Sequence, residues 1–137
     1  MPGISDIPGV HRLKVDVPGQ ATAGTADEFA GVVVPFNCRV VAVAYVPKTA
    51  VAGAATNNFT ATVRNRGAAG AGTVQPATLN FAAGVNAAAF VATPLTLSAT
   101  ASDLLLAAGD VLTVEKLVVG TGMAMPGGSV VVDVVVR

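Results

Sequence analysis

Apolar and polar positions alternate with a period of two over much of the chain. In residues 10–17, Leu13, Val15 and Val17 fall on one side and Arg12, Lys14 and Asp16 on the other, as in a half-buried strand. Residues 58–65 repeat the pattern, with Phe59, Ala61 and Val63 against Thr60, Thr62 and Arg64. Residues 111–119 set Leu112, Val114, Lys116 and Val118 against Val111, Thr113, Glu115, Leu117 and Val119. Two further segments, 39–46 and 129–137, are apolar on both sides and must be covered on both. Shorter strands are expected at 28–36, 78–81, 95–98 (with Phe90 as the earliest start) and 104–106. Pro and Gly punctuate them, at Pro18-Gly19, Pro47, Gly109 and Pro126-Gly127-Gly128. No segment carries a helical period, although 82–89 leaves room for one helical turn.

Eight or nine short strands without helices predict an all-β fold, a single antiparallel jelly-roll-like β-sandwich of about eight strands. A related Greek-key sandwich fits the same pattern. Residues 1–9 read as a flexible N-terminal arm and 10–137 as the sandwich domain. Less than a tenth of the chain is expected to be helical.

Composition narrows the function. Ala and Val fill 51 of 137 positions, and eight basic residues cancel eight acidic ones. A neutral, charge-poor chain argues against non-specific nucleic-acid binding and against an electrostatic membrane anchor. The uncharged stretch 67–102 is broken by Pro76, Pro94 and three polar amides, so no membrane span is expected. The first residues lack the basic and apolar regions of a secretory signal, which points to a cytoplasmic site of synthesis. Asn58-Phe59-Thr60 is then a chance match to a glycosylation acceptor.

The candidate chemistry is sparse. With one Cys and one His, there is no metal-ligand cluster, so neither metal nor cofactor is expected. A Cys38–His11 dyad lacks any neighbour that would activate the thiol, and Cys38 reads as a small core residue. Asp27-Glu28 and Glu115-Lys116 are adjacent pairs that point to opposite faces of a strand. Asp103 and Asp110 read as turn residues. The glycines of 67–72 do not match a phosphate-cradling loop. The chain has one Tyr and no Trp, too few aromatic platforms for sugar stacking. No enzyme is expected. Asp133 interrupts the last Val-rich segment and needs a basic partner, an Arg on a neighbouring strand or subunit.

The two-sided apolar strands point to a self-associating structural protein. Its oligomer interface is expected around Val41, Val43, Tyr45, Val131, Asp133 and Val135. Several segments in order strengthen the picture: a Pro/Gly arm, Phe29-Ala30-Gly31-Val32-Val33-Val34-Pro35-Phe36, Ala44-Tyr45-Val46-Pro47, and Asn57 to Asn65. Ala108-Gly109-Asp110-Val111-Leu112 follows, then Gly120-Thr121-Gly122 before the Val-rich end. In this the chain resembles the small capsid decoration (head cement) proteins of tailed bacteriophages.

The resemblance implies a homotrimer on the exterior of a virion capsid, assembled in the host cytoplasm and bound to the major capsid protein of the shell. The expected shell contact is the arm: Pro2, Gly3, Ile4, Ile7, Pro8, Gly9 and Val10. Its two Pro-Gly pairs limit the entropy lost on ordering, and an extended arm can add to a strand edge. A tail without a contact is the alternative for residues 1–9. The competing function is a receptor- or glycan-binding knob of a phage head or tail fibre.

Overall fold

The computed structural model describes residues 9–137. Ten strands form in chain order: β1 (Val10–Val17), β2 (Asp27–Val33), β3 (Cys38–Pro47), β4 (Asn58–Asn65), β5 (Val74–Asn80), β6 (Thr93–Pro94), β7 (Thr96–Leu97), β8 (Leu105–Leu106), β9 (Val111–Val119) and β10 (Gly128–Val136). A 3-10 helix, Ala101–Leu104, precedes β8. Of the described residues 53% are strand and 3% helical, an all-β fold of two antiparallel sheets.

The first sheet runs β1-β10-β3-β6, with β8 also paired to β3. The second runs β2-β9-β4-β5-β7. Their facing sides make the core. Leu13, Val15 and Val17 of β1 meet Val130, Val132 and Val134 of β10 on one inner face; Phe29, Phe59, Ala61, Val63, Leu112 and Val114 line the other. Small side chains dominate, so the volume is filled by a few rings. Phe59 and Phe81 pack with centroids 4.8 Å apart, and Tyr45 meets Phe81 edge-on at 6.3 Å. The Tyr45 hydroxyl donates to the Pro126 carbonyl, which satisfies its polar tip inside the core.

Residues 93–97 close one side. β6 pairs with β3, β7 pairs with β5, and the buried Leu95 between them donates its N–H to the Val43 carbonyl at 2.9 Å. The segment expected as one strand at 95–98 is therefore a crossing from one sheet to the other. Other boundaries moved less. β5 begins at Val74 rather than at 78, Leu104 belongs to the 3-10 helix, and residues 82–89 form no helix. The expected 58–65 and 111–119 strands form with those bounds.

One correction follows from a β-bulge. Pairing of β10 with β3 shifts between Asp133↔Ala42 and Val134↔Val40, which makes Val41 the extra residue. Simple alternation grouped Val41, Val43 and Tyr45 on one face. Past the bulge the sense of alternation inverts, so Val40, Val43 and Tyr45 all point into the core.

Phe81 packs against both Tyr45 and Phe59 and is wholly buried. Phe81→Ala is expected to cost about 3–5 kcal/mol, read as a lowered urea midpoint with an unchanged slope. A loss below about 1 kcal/mol would contradict a core held by this ring cluster.

Candidate interaction surface

The outer face of the first sheet is built from β1, β10 and β3. Register places Lys14 beside Val131 and Asp16 beside Ser129, while Val131 faces Ala44 and Ser129 faces Val46. The half-buried Val131, Val135, Ala44, Val46 and Val41 give the face its apolar character. Asp133 lies among them and is engaged by Arg12 directly across β1. Arg12 Nε donates to Asp133 Oδ1 at 2.8 Å and the terminal nitrogen to Oδ2 at 3.1 Å. This is the Arg partner that Asp133 required, supplied by a neighbouring strand. The same guanidinium holds the Asp133 carboxyl below the usual range.

Of the six interface residues expected from sequence, Val41, Val131, Asp133 and Val135 are on or beside this face. Val43 and Tyr45 are not surface residues at all, being 3% and 0% exposed in the single chain. Of the expected shell-contact residues, Pro2, Gly3, Ile4, Ile7 and Pro8 lie outside the described residues. Gly9 and Val10 are exposed at the start of β1, Val10 by 62%.

The outer face of the second sheet carries a paired charge cluster, with the apolar Leu117 and Val119 exposed toward one end of β9. Glu28 and Glu115 are register neighbours across β2 and β9. Glu28 takes a two-pronged ion pair from Arg66 and the Thr113 hydroxyl at 2.7 Å. Glu115 takes Arg64 at 2.9 Å. The Arg66 hydrogen bonds pull the Glu28 carboxyl down to about 2, against its partial burial. Burial, and then the neighbouring Glu28, push Glu115 the other way. Arg66 also holds the 66–72 loop, because Gly72 N–H donates to its carbonyl at 2.8 Å.

Sequence reasoning missed Lys116. It lies on the apolar side of β9 and is wholly buried, and its Nζ donates to the carbonyls of Thr22 and Ala23 at 2.9 and 3.1 Å. The ammonium thus ties the 20–26 loop over the open end of the core. The signal was present: a cation at a core-facing position must find acceptors.

The remaining candidates have local duties. Asp110 Oδ2 accepts from Ala107 N–H at 2.9 Å and from Asn65 at 3.0 Å, which is turn chemistry. Asp103 accepts from the Ser98 hydroxyl at 2.7 Å. Cys38 is buried, and desolvation raises its thiol, the reverse of nucleophile activation. The His11 ring packs edge-on against Phe36 at 5.2 Å. Among the described residues no group of His, Cys, Asp and Glu is placed to hold a metal, and no helix is long and apolar enough to cross a membrane. No family model, curated protein or solved structure matches the chain.

A carboxylate whose folded pKa lies below its unfolded value stabilises the fold above the unfolded value and loses that contribution as pH falls toward the folded one. For Glu28 the window runs from pH 4.5 down to about 2. Acid titration of unfolding should show wild-type stability falling through this window and a shallower fall in Glu28→Gln. Equal slopes would contradict the Arg66–Glu28 pair as an acid-sensitive contact.

Proposed function

We propose that this chain is a structural protein that assembles as a homo-oligomer, a trimer, and decorates the exterior of a phage capsid. It binds the assembled shell through the major capsid protein. The observation that carries this reading is the outer face of the first sheet. That face is apolar along the middle of β10 and β3, with the exposed Arg39 opposite Val135 near one end, and its one internal carboxylate, Asp133, is already neutralised by Arg12. A sheet face of this kind loses little on being covered by protein. The order of segments that resembles head cement proteins supports the same conclusion.

We further read the sandwich as a jelly roll. The support is nested pairing, with β1 on β10, β2 on β9, β3 on β6 and β8, and β4 on β5. Such a domain presents rigid faces and needs no catalytic centre. Its work is thermodynamic. A protein that binds the expanded shell but not its precursor stabilises the expanded state by RT ln(1 + [L]/Kd) per site. Many sites per shell multiply a modest term. The arm, Pro2 to Val10, is the proposed shell contact, and the exposed Val10 leads directly from it into the edge strand β1.

The test is co-sedimentation of the purified protein with expanded and unexpanded empty heads. Saturable binding to expanded heads alone is expected. Deleting residues 2–9 should weaken that binding at least tenfold while leaving the oligomer intact. Undiminished binding of the deletion variant would move the contact to the sandwich, and no saturable binding to any expanded head would overturn the function.

A further inference from the structure

Phe90 breaks two rules at once. It is 77% exposed, the most exposed of the large apolar side chains described. It is also the one non-glycine among the described residues with a positive φ, at 60°. The Val91 N–H to Ala88 carbonyl bond, at 3.3 Å, closes a turn with Phe90 in its third position. That position with positive φ is ordinarily taken by Gly or Asn, because a bulky side chain is strained there. The turn is held, since Phe90 N–H donates to the Pro47 carbonyl at 2.7 Å and the Val51↔Ala87 bridge fixes its base. A rigid, strained turn that presents a ring to solvent is a local cost without a local return.

A receptor for such a ring lies on the same molecule. A depression of about 370 Å³ is lined by Pro18, Ala21, Ala124 and Pro126 together with the polar Gln20 and Thr49, and Lys48 is its one charged residue. An enclosed apolar cavity of roughly 150 Å³ accepts a benzene ring; this depression is larger and open to solvent, so a phenyl side chain can enter it. Among the described residues no carboxylate lies within 4.0 Å of the Lys48 ammonium. An ammonium at the rim complements the negative face of an aromatic ring.

The placement of the two features matters most. Both adjoin the end of β3, on opposite flanks. Phe90 is bonded to Pro47 on the β6 side, where Tyr45 pairs with Thr93. The depression is on the β10 side, where Lys48 N–H donates to the Gly127 carbonyl at 2.8 Å and Pro47 pairs with Gly128. Phe90 is not among the residues lining the depression and its ring is 77% exposed, so the knob does not fill the socket of its own copy. Seated in the socket of a second copy it would make a heterologous contact, which closes into a ring when the rotation permits.

We propose that Phe90 of one copy inserts into the Pro18–Ala21–Lys48–Ala124–Pro126 depression of the next, and that this head-to-tail contact builds the cyclic oligomer. The inference rests on the oligomer part of the proposed function. It deepens that part by naming which side of one copy meets which side of its neighbour, at the end of the first sheet and beside its apolar face.

Sedimentation velocity of two variants tests it, with circular dichroism to show that each is folded. Phe90→Ser removes the knob, and Ala21→Trp fills the socket from an exposed position. Each variant alone should sediment as a monomer, with association weakened by about 30-fold or more, as for a hot-spot residue. An equal mixture should give a dimer and stop there, because one intact knob and one intact socket make a single contact. Wild-type assembly by folded Ala21→Trp overturns the inference without reference to Phe90→Ser, whose turn it leaves untouched. A mixture that stays monomeric overturns it as well. An oligomer that survives both variants leaves the decorating function standing with a different interface. Ring formation without shell binding counts against that function alone.

Discussion

β10 is hydrogen-bonded along its length to β1 on one side and to β3 on the other, and the other features depend on that central position. Its inward Val130, Val132 and Val134 are wholly buried and fix one wall of the core. Its outward Val131, Asp133 and Val135 make the outer face. Side chains alternate strictly, so the residues that fill the core leave a separate outward set, and in β10 that set is mostly valine as well. The bulge at Val41 then decides which β3 residues join that stripe and which enter the core.

Few charges remain, and most are used to hold the frame. Arg12 and Asp133 neutralise the first sheet's face; Arg64, Arg66, Glu28 and Glu115 tie three strands of the second. Lys116 spends its ammonium on loop carbonyls. Phe90 stands apart from this economy of paired groups, since its ring has the solvent on most of its surface. Other apolar side chains are exposed, Val10, Val33 and Val91 among them, but Phe90 alone joins exposure to a positive φ, and that combination is what contact with another copy would explain.

Much of the fold was legible because period-two patterning is local. β1 and β4 could be placed to the residue, since each has one polar and one apolar side, and β9 because the Gly109-Asp110 turn and Gly120 bound it. The strands that were apolar on both sides carried no such information about which side faces in. Val43 and Tyr45 were assigned outward for that reason, and only the bulge, a property of pairing with β10, turns them inward. Residues 93–97 could not be read either, because Thr93 and Thr96 look alike in sequence yet serve different sheets. The Asp133 requirement was legible because a carboxylate among valines demands a cation wherever it lies. The knob and socket were not, because residues 90 and 18–21 are distant in the chain and only the ends of β3, β6 and β10 bring them to one end of the molecule.

If the protein stabilises an assembled shell, as proposed, the most direct measurement is the temperature at which expanded, DNA-filled heads release DNA to a fluorescent stain. Adding the protein should raise that temperature until the sites are filled and then have no further effect. A release temperature that does not move while the protein is bound at saturation would contradict the account.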